Sequence, residues 1–431
     1  MSSYVITGGF ELEGTVHISG NKNAALCCLA ATLLTDEKVI LHNIPAIEDV
    51  HVMVDLLRML GSQVDWVASN SVQITSSLTY DLHHTPLDPV LVDLIRASIL
   101  LAGPLVGRFH TVILPPPGGD VIGLRRLDTH FHAFEALGAE CKIDKGGIIS
   151  ITTDKLMGSK VFLDEASVTA TENTIMAAVV AEGRTRIQNA ASEPHVQDLC
   201  NLLVKMGASI GGIGSNLLEI EGTKKLHGAE FTIGFDYMEA GSFLGLVGAT
   251  GGEVELVGIN HDQLPMIEKG FDRLGLKWHI SGEQGIVLPR TQSRIIKKSV
   301  GGQTLTLDDA PWPGFPADLL SILIVVATQM SGSILIHEKM YESRMFFIDW
   351  LIRMGADIIL CDPHRALIQG PSSLKPAEVT SPDIRAGMAL VIAALCAEGE
   401  STLHQIYQIE RGYEELPKKL TNLGAKITSK A

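Results

Sequence analysis

Four short segments of the sequence combine charged side chains with glycine or proline in ways that could do chemistry. In Ser19-Gly-Asn-Lys22-Asn23-Ala-Ala-Leu a glycine turn leads into a helix with a cation at its entry. In Leu114-Pro-Pro-Pro-Gly118-Gly119-Asp120-Val-Ile-Gly123-Leu-Arg125-Arg126-Leu127-Asp128 a rigid proline run precedes two glycines, an acid and two arginines. That order suits a mobile lid carrying a proton donor, Asp120, and phosphate-binding cations. Ala310-Pro-Trp-Pro-Gly-Phe315-Pro316-Ala317-Asp318 places an acid at a helix start. Glu342-Ser-Arg344 and Glu410-Arg411-Gly412-Tyr413 put two arginines at corresponding places in neighbouring repeats. Taken singly, each segment also reads as a surface lysine, an exposed turn or a surface ion pair.

Composition narrows what these groups could act on. The 431 residues are 46% apolar, 19% charged and 5% aromatic, a globular composition long enough for two or three domains. Thirty-four Lys and Arg against 49 Asp and Glu give a net charge of −15, which repels a nucleic-acid backbone. An anionic substrate therefore needs a local pocket of cations. Six cysteines without a C-x-x-C spacing predict neither a disulfide framework nor a zinc site. No phosphate loop, dinucleotide fingerprint or H-E-x-x-H is present, and the His83-His84 and His130/His132 pairs lack metal partners at usual spacing. We expect no metal and no cofactor. The longest apolar runs reach about ten residues, where a spanning helix needs roughly 20. Met1-Ser2-Ser3-Tyr4 opens no signal peptide, so the expectation is a cytoplasmic protein with no membrane attachment.

The elements that must hold these groups emerge from an internal repeat. An amphipathic stretch ending in Leu-Gly or Met-Gly occurs six times, at Gly61, Gly138, Gly207, Gly275, Gly355 and Gly424. Glycine after the last periodic residue predicts a left-handed helix cap. The spacings are 77, 69, 68, 80 and 69 residues, and pairing the first three glycines with the last three gives offsets of 214, 217 and 217. The pattern predicts a duplicated three-repeat domain. Each repeat also carries a helix apolar on nearly all faces, expected at 24–34, 97–105, 174–181, 243–249, 319–330 and 386–397, and such a helix is buried. Amphipathic outer helices are expected at 51–60, 196–206, 341–354 and 413–423. Strands, one buried helix and one outer helix per repeat predict sheets around a bundle of buried helices, twice over.

The polar residues of the buried helices collect at their starts: Lys22-Asn23, Arg96, Thr171-Glu172-Asn173, Glu239, Asp318 and Asp383/Arg385. Helix N-termini offer free N–H groups and partial positive charge, so pooled starts would bind an anion. Capping alone accounts for Thr171, Asp318 and Asp383 equally well. It does not account for Lys22, Arg96 or Arg385, because a cation is unfavourable at an N-terminus unless solvent or a partner charge offsets it.

At these residues the sequence resembles the enolpyruvyl transferase family. Ser19 to Leu26, Arg96-Ala-Ser, Gly118 to Asp128, Phe315-Pro-x-Asp318, Glu342-x-Arg344, Asp383-x-Arg385-Ala and Arg411-Gly-Tyr-Glu414 fall in family order, nearly end to end. The resemblance implies an α/β fold of two inverse α/β-barrel (prism) domains, each of three repeats, with buried helices inside, sheets around them and the active site in the cleft between. It implies one domain over 21–232, carrying the lid at 110–128, and a second over 1–20 plus 233–431. It implies a transferase that moves the enolpyruvyl group of phosphoenolpyruvate to the 3′-hydroxyl of UDP-N-acetylglucosamine, releasing phosphate by addition and elimination. This is the first committed step of peptidoglycan synthesis, and through it of cell-wall biogenesis, cell shape and division.

Carried over by position, Lys22, Arg125 and Arg411 would hold the phosphate and carboxylate of phosphoenolpyruvate, with Arg344 assisting at the carboxylate. Asn23, Arg96 and Asp318 would position the sugar, Asp318 serving also as base for the 3′-hydroxyl. Asp120 would be the proton donor, and Asp383 and Arg385 would complete the charged floor. Arg126, Leu127, Asp128, Ser167, Val168 and Met340 fall at further substrate-binding positions. The expected partners are the two substrates, with no nucleic acid, in a monomer or weak homo-oligomer. The sequence departs from the common pattern in having Asp120 for a cysteine, Arg126 for a proline, Glu165 for a lysine and Tyr237 for an arginine. Asp120 implies insensitivity to fosfomycin, which alkylates that cysteine. Arg126 and Glu165 lie where the family touches the nucleotide. A paralogue acting on another nucleotide sugar, or a relative of 5-enolpyruvylshikimate-3-phosphate synthase, therefore remains open.

Overall fold

The computed structural model describes residues 2–120, 122–123 and 125–430. Contacts divide the chain into a first unit of Gly20–Asp120 and Arg125–Gly234, and a second unit of Met1–Ser19, Val121–Leu124 and Phe235–Ala431. Val121 and Leu124 of the lid motif lie outside the described residues.

In the first unit each repeat builds an antiparallel trio of strands. Ser71–Ser76 lies between Val39–His42 and Ser62–Ala68, Ile149–Thr152 between Thr111–Leu114 and Glu140–Ile143, and Leu217–Glu221 between Arg184–Gln188 and Ser209–Gly211. A parallel edge strand comes from the preceding repeat. Lys160–Phe162 pairs with Arg184–Gln188, and Glu230–Thr232 returns to pair with Val39–His42. At the Thr111–Leu114 sheet that edge is reduced, among the described residues, to one bond, Leu87 N–H to the Ile113 carbonyl at 3.0 Å. Alternation sets the buried face: Val72 and Ile74 point inward with Val39 and Leu41.

The second unit repeats the plan with one change. Gly252–Val257 takes Leu12–His17 as its parallel edge, and Gly332–His337 takes Leu305–Asp308. In the last repeat the middle strand comes from the other end of the chain, with Ser3–Gly8 antiparallel between Gly399–His404 and Lys426–Lys430. The two N-terminal strands thus finish the last repeat and supply the edge of the first.

The buried helices follow the apolar runs. Lys22–Ala31, Val168–Ala178, Tyr237–Thr250, Ala317–Ala327 and Ile384–Cys396 each begin a few residues before the expected apolar segment, so their polar starts belong to the helix. In Ala317–Ala327 every residue but Asp318 is buried. Helices Tyr237–Thr250 and Ala317–Ala327 approach so closely that a Cβ on Gly245 would lie 2.4 Å from Ile322 Cγ2. The expected helix at 97–105 differs. It starts as a 3-10 turn, Arg96–Leu101, before the α-helix Ala102–Phe109. The Gly103 N–H is spent on Asn173 Oδ1 at 2.7 Å and Pro104 has none, so the i to i−4 ladder is broken there.

The amphipathic outer helices are Glu48–Leu60, Pro194–Lys205, Ile348–Arg353 and Leu416–Asn422, and two more, Asp128–Ala136 and Pro265–Arg273, precede the repeat glycines Gly138 and Gly275. All six repeat glycines have positive φ, from +80° at Gly275 to +107° at Gly61. Among the described residues no helix is long and apolar enough to cross a membrane.

The cap glycines differ in surroundings, which gives a test. Around Gly424 nothing lies within 4 Å of a built Cβ, whereas at Gly61 it would meet the Ser77 carbonyl at 2.6 Å and Thr79 Oγ1 at 2.5 Å. Gly424→Ala should cost only the left-handed penalty, about 1–2 kcal/mol. Gly61→Ala should cost that plus the overlap. Thermal melts should show the larger fall for Gly61→Ala, and equal falls would contradict the packing term.

Candidate active site

The first unit shapes its polar segment from the backbone outward. Gly20 runs so close to the Asn43 carbonyl that a Cβ would sit 1.6 Å from it, so no larger residue fits. Asn21, not Asn23, caps the helix, its side chain accepting the Ala24 N–H at 3.0 Å. Lys22 follows as the first helical residue, and its Nζ lies 2.6 Å from Asp49 Oδ2 with both side chains almost fully buried. Asp49, in the first turn of Glu48–Leu60, is the partner charge that the cation at this N-terminus requires. Nothing in its own sequence context separates it from an ordinary first-turn acid.

Arg96 ties the two stems of the lid together. Its Nη1 donates to the Pro117 carbonyl at 3.2 Å and its Nη2 to the Arg125 carbonyl at 2.5 Å. Gly119, at φ +97°, leaves only 2.8 Å between a built Cβ and the Arg96 backbone nitrogen, so this lid glycine lies against Arg96, while Gly118 lies against the Asp93 carbonyl. Asp120 is half-buried beyond them. Arg126 is exposed, its Nε 2.8 Å from Asp128 Oδ2, and Leu127 precedes the helix that Asp128 begins. Glu165 is exposed. Ser167 caps the third buried helix through the Ala170 N–H, and Val168 is its first residue.

The remaining polar residues of that helix start are structural. Thr171 does not cap; its hydroxyl donates to the Ser167 carbonyl and accepts from the Ala191 N–H. Asn173 donates to the Ile99 carbonyl and meets His130 Nδ1 at 3.1 Å. Burial, followed by the charge of Arg96, lowers the His130 pKa to about 3, so the ring is neutral. Burial raises Glu172 to about 8.

In the second unit the sequence-selected charges converge. Asp318 lies in the first turn of Ala317–Ala327 but does not cap it, since Pro316 occupies that position. Its Oδ1 accepts from Arg344 Nη2 at 2.9 Å and its Oδ2 from Arg385 Nε at 3.0 Å. The arginine side chains are 5% and 7% exposed, and the Asp318 side chain keeps 30%, open to a ligand. Asp383 is a true cap, accepting the Arg385 and Ala386 N–H groups. Arg344 and Arg385 stack over Tyr341 and Tyr413, at 5.1 and 5.4 Å. Burial lowers the pKa of both arginines, but the surrounding groups (Asp318 first for Arg344, Tyr413 and Asp318 for Arg385) more than reverse it, so both stay cationic. Arg344 Nε and Nη1 and Arg385 Nη1 are buried donors with no acceptor among the described residues. Such orphans suit an incoming carboxylate or phosphate.

Arg411 donates to Gln408 Oε1 at 3.0 Å, and Met340 is exposed. Ile122, from the lid tip, accepts the Ser343 N–H at 3.2 Å. The fourth helix start departs from the anion-binding expectation. Glu239 accepts Lys419 Nζ at 2.6 Å and the Ser19 N–H at 2.7 Å, and Ser19 Oγ donates to Glu414. A buried carboxylate that already holds a lysine serves the framework. Tyr237 is buried, its ring 5.5 Å from that of Trp312.

Removing the carboxylate between two buried guanidiniums should be costly. Asp318→Ala should destabilise the protein by on the order of 2–3 kcal/mol, less than for a wholly buried pair because Asp318 is partly solvated. A melting temperature unchanged from wild type would mean that solvent already carries these charges.

This constellation has relatives. A family model described as EPSP synthase (3-phosphoshikimate 1-carboxyvinyltransferase) matches residues 6–420. A UDP-N-acetylglucosamine 1-carboxyvinyltransferase of Treponema denticola is 54% identical over 432 residues, covering all of both chains. That of Borrelia garinii subsp. bavariensis is 52% identical over 427 residues, 99% of each. In structure, the enolpyruvyl transferase NikO from Streptomyces tendae is similar with a TM-score of 0.87 at 21% identity, over 100% of this chain and 99% of that one. A match of this length, on a chain whose charged residues sit at the starts of its buried helices, has one consequence: the chain belongs to the enolpyruvyl transferase family.

Proposed function

We propose that the chain transfers the enolpyruvyl group of phosphoenolpyruvate to the 3′-hydroxyl of UDP-N-acetylglucosamine, releasing phosphate. The observation that carries this reading is Asp318, gripped by two buried arginines that retain unused N–H donors beside it. Full-length identity of 46–54% to relatives named for that reaction supports this acceptor over shikimate 3-phosphate. In this reading Lys22, Arg125 and Arg411 hold the phosphate and carboxylate, and Arg344 takes the carboxylate with its orphan Nη1. Fixed cations lower the barrier because they need no reorientation as charge develops.

Addition begins as the Asp120 carboxyl gives its proton to C3 of phosphoenolpyruvate, the 3′-oxygen bonds to C2, and Asp318 takes the hydroxyl proton. The result is a tetrahedral ketal. In elimination the Asp120 carboxylate recovers a proton from the new methyl group, the C2–O bond to phosphate breaks, and the proton on Asp318 leaves with the phosphate. Asn23 and Asp318 orient the sugar, and Arg126, Leu127, Asp128, Ser167, Val168 and Met340 line its approach. Arg96 acts by holding the lid stems. Arg385 holds Asp318, and Asp383 caps the helix start that carries Arg385. We further place the reaction in the cytoplasm, carried out by a monomer or weak homo-oligomer.

Phosphate release should require phosphoenolpyruvate and UDP-N-acetylglucosamine together. Release with shikimate 3-phosphate, and none with the sugar nucleotide, would reverse the acceptor.

Position 120 gives a second test. A thiolate attacks an epoxide far better than a carboxylate does, so turnover should survive preincubation with fosfomycin. Asp120→Cys should become sensitive while keeping part of its activity. Asp120→Asn should lose about 10²–10⁴-fold in turnover, since an amide cannot give and recover the proton. Near-full activity of Asp120→Asn would remove this residue from the chemistry.

A further inference from the structure

Behind Arg344 lie two carboxyl groups that the reaction does not use. Asp309 follows strand Leu305–Asp308 and Glu338 follows strand Gly332–His337. These strands pair in parallel with Asp308 opposite His337, so Asp309 and Glu338 are the next pair in register. Their parity is that of Leu307 and Ile336, which face the core. Both acids are 0% exposed.

Each carboxyl is half satisfied. Asp309 Oδ1 accepts the Lys339 N–H at 2.6 Å, and Glu338 Oε1 accepts the Met340 and Tyr341 N–H groups at 2.9 and 3.0 Å. Asp309 Oδ2 and Glu338 Oε2 are buried with no hydrogen-bond donor among the described residues. The nearest cation, Arg344 Nε, is 3.8 Å from Glu338 Oε2, too far for a hydrogen bond. Two adjacent buried carboxylates repel, and one proton between them gives both orphan oxygens a partner. The other charged or titratable groups nearby are accounted for: Lys339 Nζ pairs with Asp308, and His364 Nδ1 meets the Glu338 backbone carbonyl at 2.8 Å. Tyr341 lies under Arg344, which reaches Asp318.

We propose that Asp309 and Glu338 share one proton and act as a positioning pair, fixing the 338–344 turn so that Arg344 keeps its grip on Asp318. Burial first, then the neighbouring Asp309, pushes the Glu338 carboxyl well above the ordinary carboxylate range, against the pull of Arg344. Loss of the proton would leave two negative charges behind Arg344, competing with Asp318 for it. The folded chain holds this proton more tightly than the unfolded chain. Its stabilising contribution is therefore full at acid pH and is lost as pH rises from the ordinary carboxylate range through the raised one.

The consequence for catalysis rests on the function proposed above; the shared proton does not. An amide copies a protonated carboxyl, so Glu338→Gln or Asp309→Asn each keeps one donor facing one acceptor, whereas the double variant faces two donors. We expect each single amide to hold KM for phosphoenolpyruvate within about twofold of wild type at neutral pH, and Glu338→Ala and the double variant to raise it about tenfold. Wild-type KM should rise at alkaline pH, and Glu338→Gln should flatten that rise. Infrared difference spectra at neutral pH, wild type minus each single amide, should show one protonated-carboxyl carbonyl band, with or without turnover. Absence of that band in both spectra, in variants that melt cooperatively, overturns the shared proton even if the enzyme turns over. The band present with KM unchanged in Glu338→Ala and the double variant overturns the positioning role. No turnover with phosphoenolpyruvate, but the band intact, overturns the function and leaves the pair.

Discussion

A helix that is apolar on every face has few places for a polar residue, and its first turn is the main one. There the backbone N–H groups have no partner in the helix, and the chain is arriving from a loop that meets solvent. Ala317–Ala327 shows the constraint in its strict form, buried at every residue except Asp318. Lys22–Ala31 is the same, with Asn23 as the one half-exposed residue. Burying one helix per repeat inside a ring of sheets thus decides in advance where reactive groups can stand. The sheets then follow from what each helix must be shielded from, including the use of Ser3–Gly8 to finish the last repeat's sheet.

The same constraint sets an electrostatic problem, and the structure answers it locally. The chain carries a net charge of −15, yet its proposed substrates are anions. Cations at helix starts work against the helix dipole, so each is given a partner: Asp49 for Lys22, Asp318 for Arg344 and Arg385, and two lid carbonyls for Arg96. For Arg344 and Arg385 the partnership restrains the cation without using all its donors. A restrained cation with a free N–H has already lost its side-chain freedom before a ligand arrives, so less is lost on binding.

The repeats, the cap glycines of the outer helices, the buried helices and the charged residues at their starts were legible in the sequence, because each leaves a local periodic mark. Gly61 and Gly424 read alike in sequence and both take a positive φ. Partnerships across the fold were not legible. Asp49 looks like any first-turn acid, and only packing reveals that Lys22 lies against it. Asp318 read equally well as a cap, until Pro316 proved to hold that position and two arginines proved to hold the carboxylate. The 3-10 start at Arg96 was hidden because its cause, Asn173 taking the Gly103 N–H, lies 70 residues away. Asp309 and Glu338 leave no such mark, although Asp309 stands one residue before the Ala310 to Asp318 motif. Their closeness depends on the register of two parallel strands.

Duplication explains why one framework carries two kinds of charge. Helix starts in the first unit hold Lys22, Arg96 and Glu172, and those in the second hold Glu239, Asp318, Asp383 and Arg385. The fold demands only that the first turn be polar and partnered; it is indifferent to sign. Glu239 satisfies that demand with Lys419, and Asp383 satisfies it by capping. Asp318 satisfies it with two arginines whose donors are not exhausted, while its own carboxylate stays partly open. The difference between a framework charge and a reactive one lies in that remainder. A group whose hydrogen bonds are complete can only hold the fold, and one left incomplete at a solvent-reachable helix start can also hold a substrate.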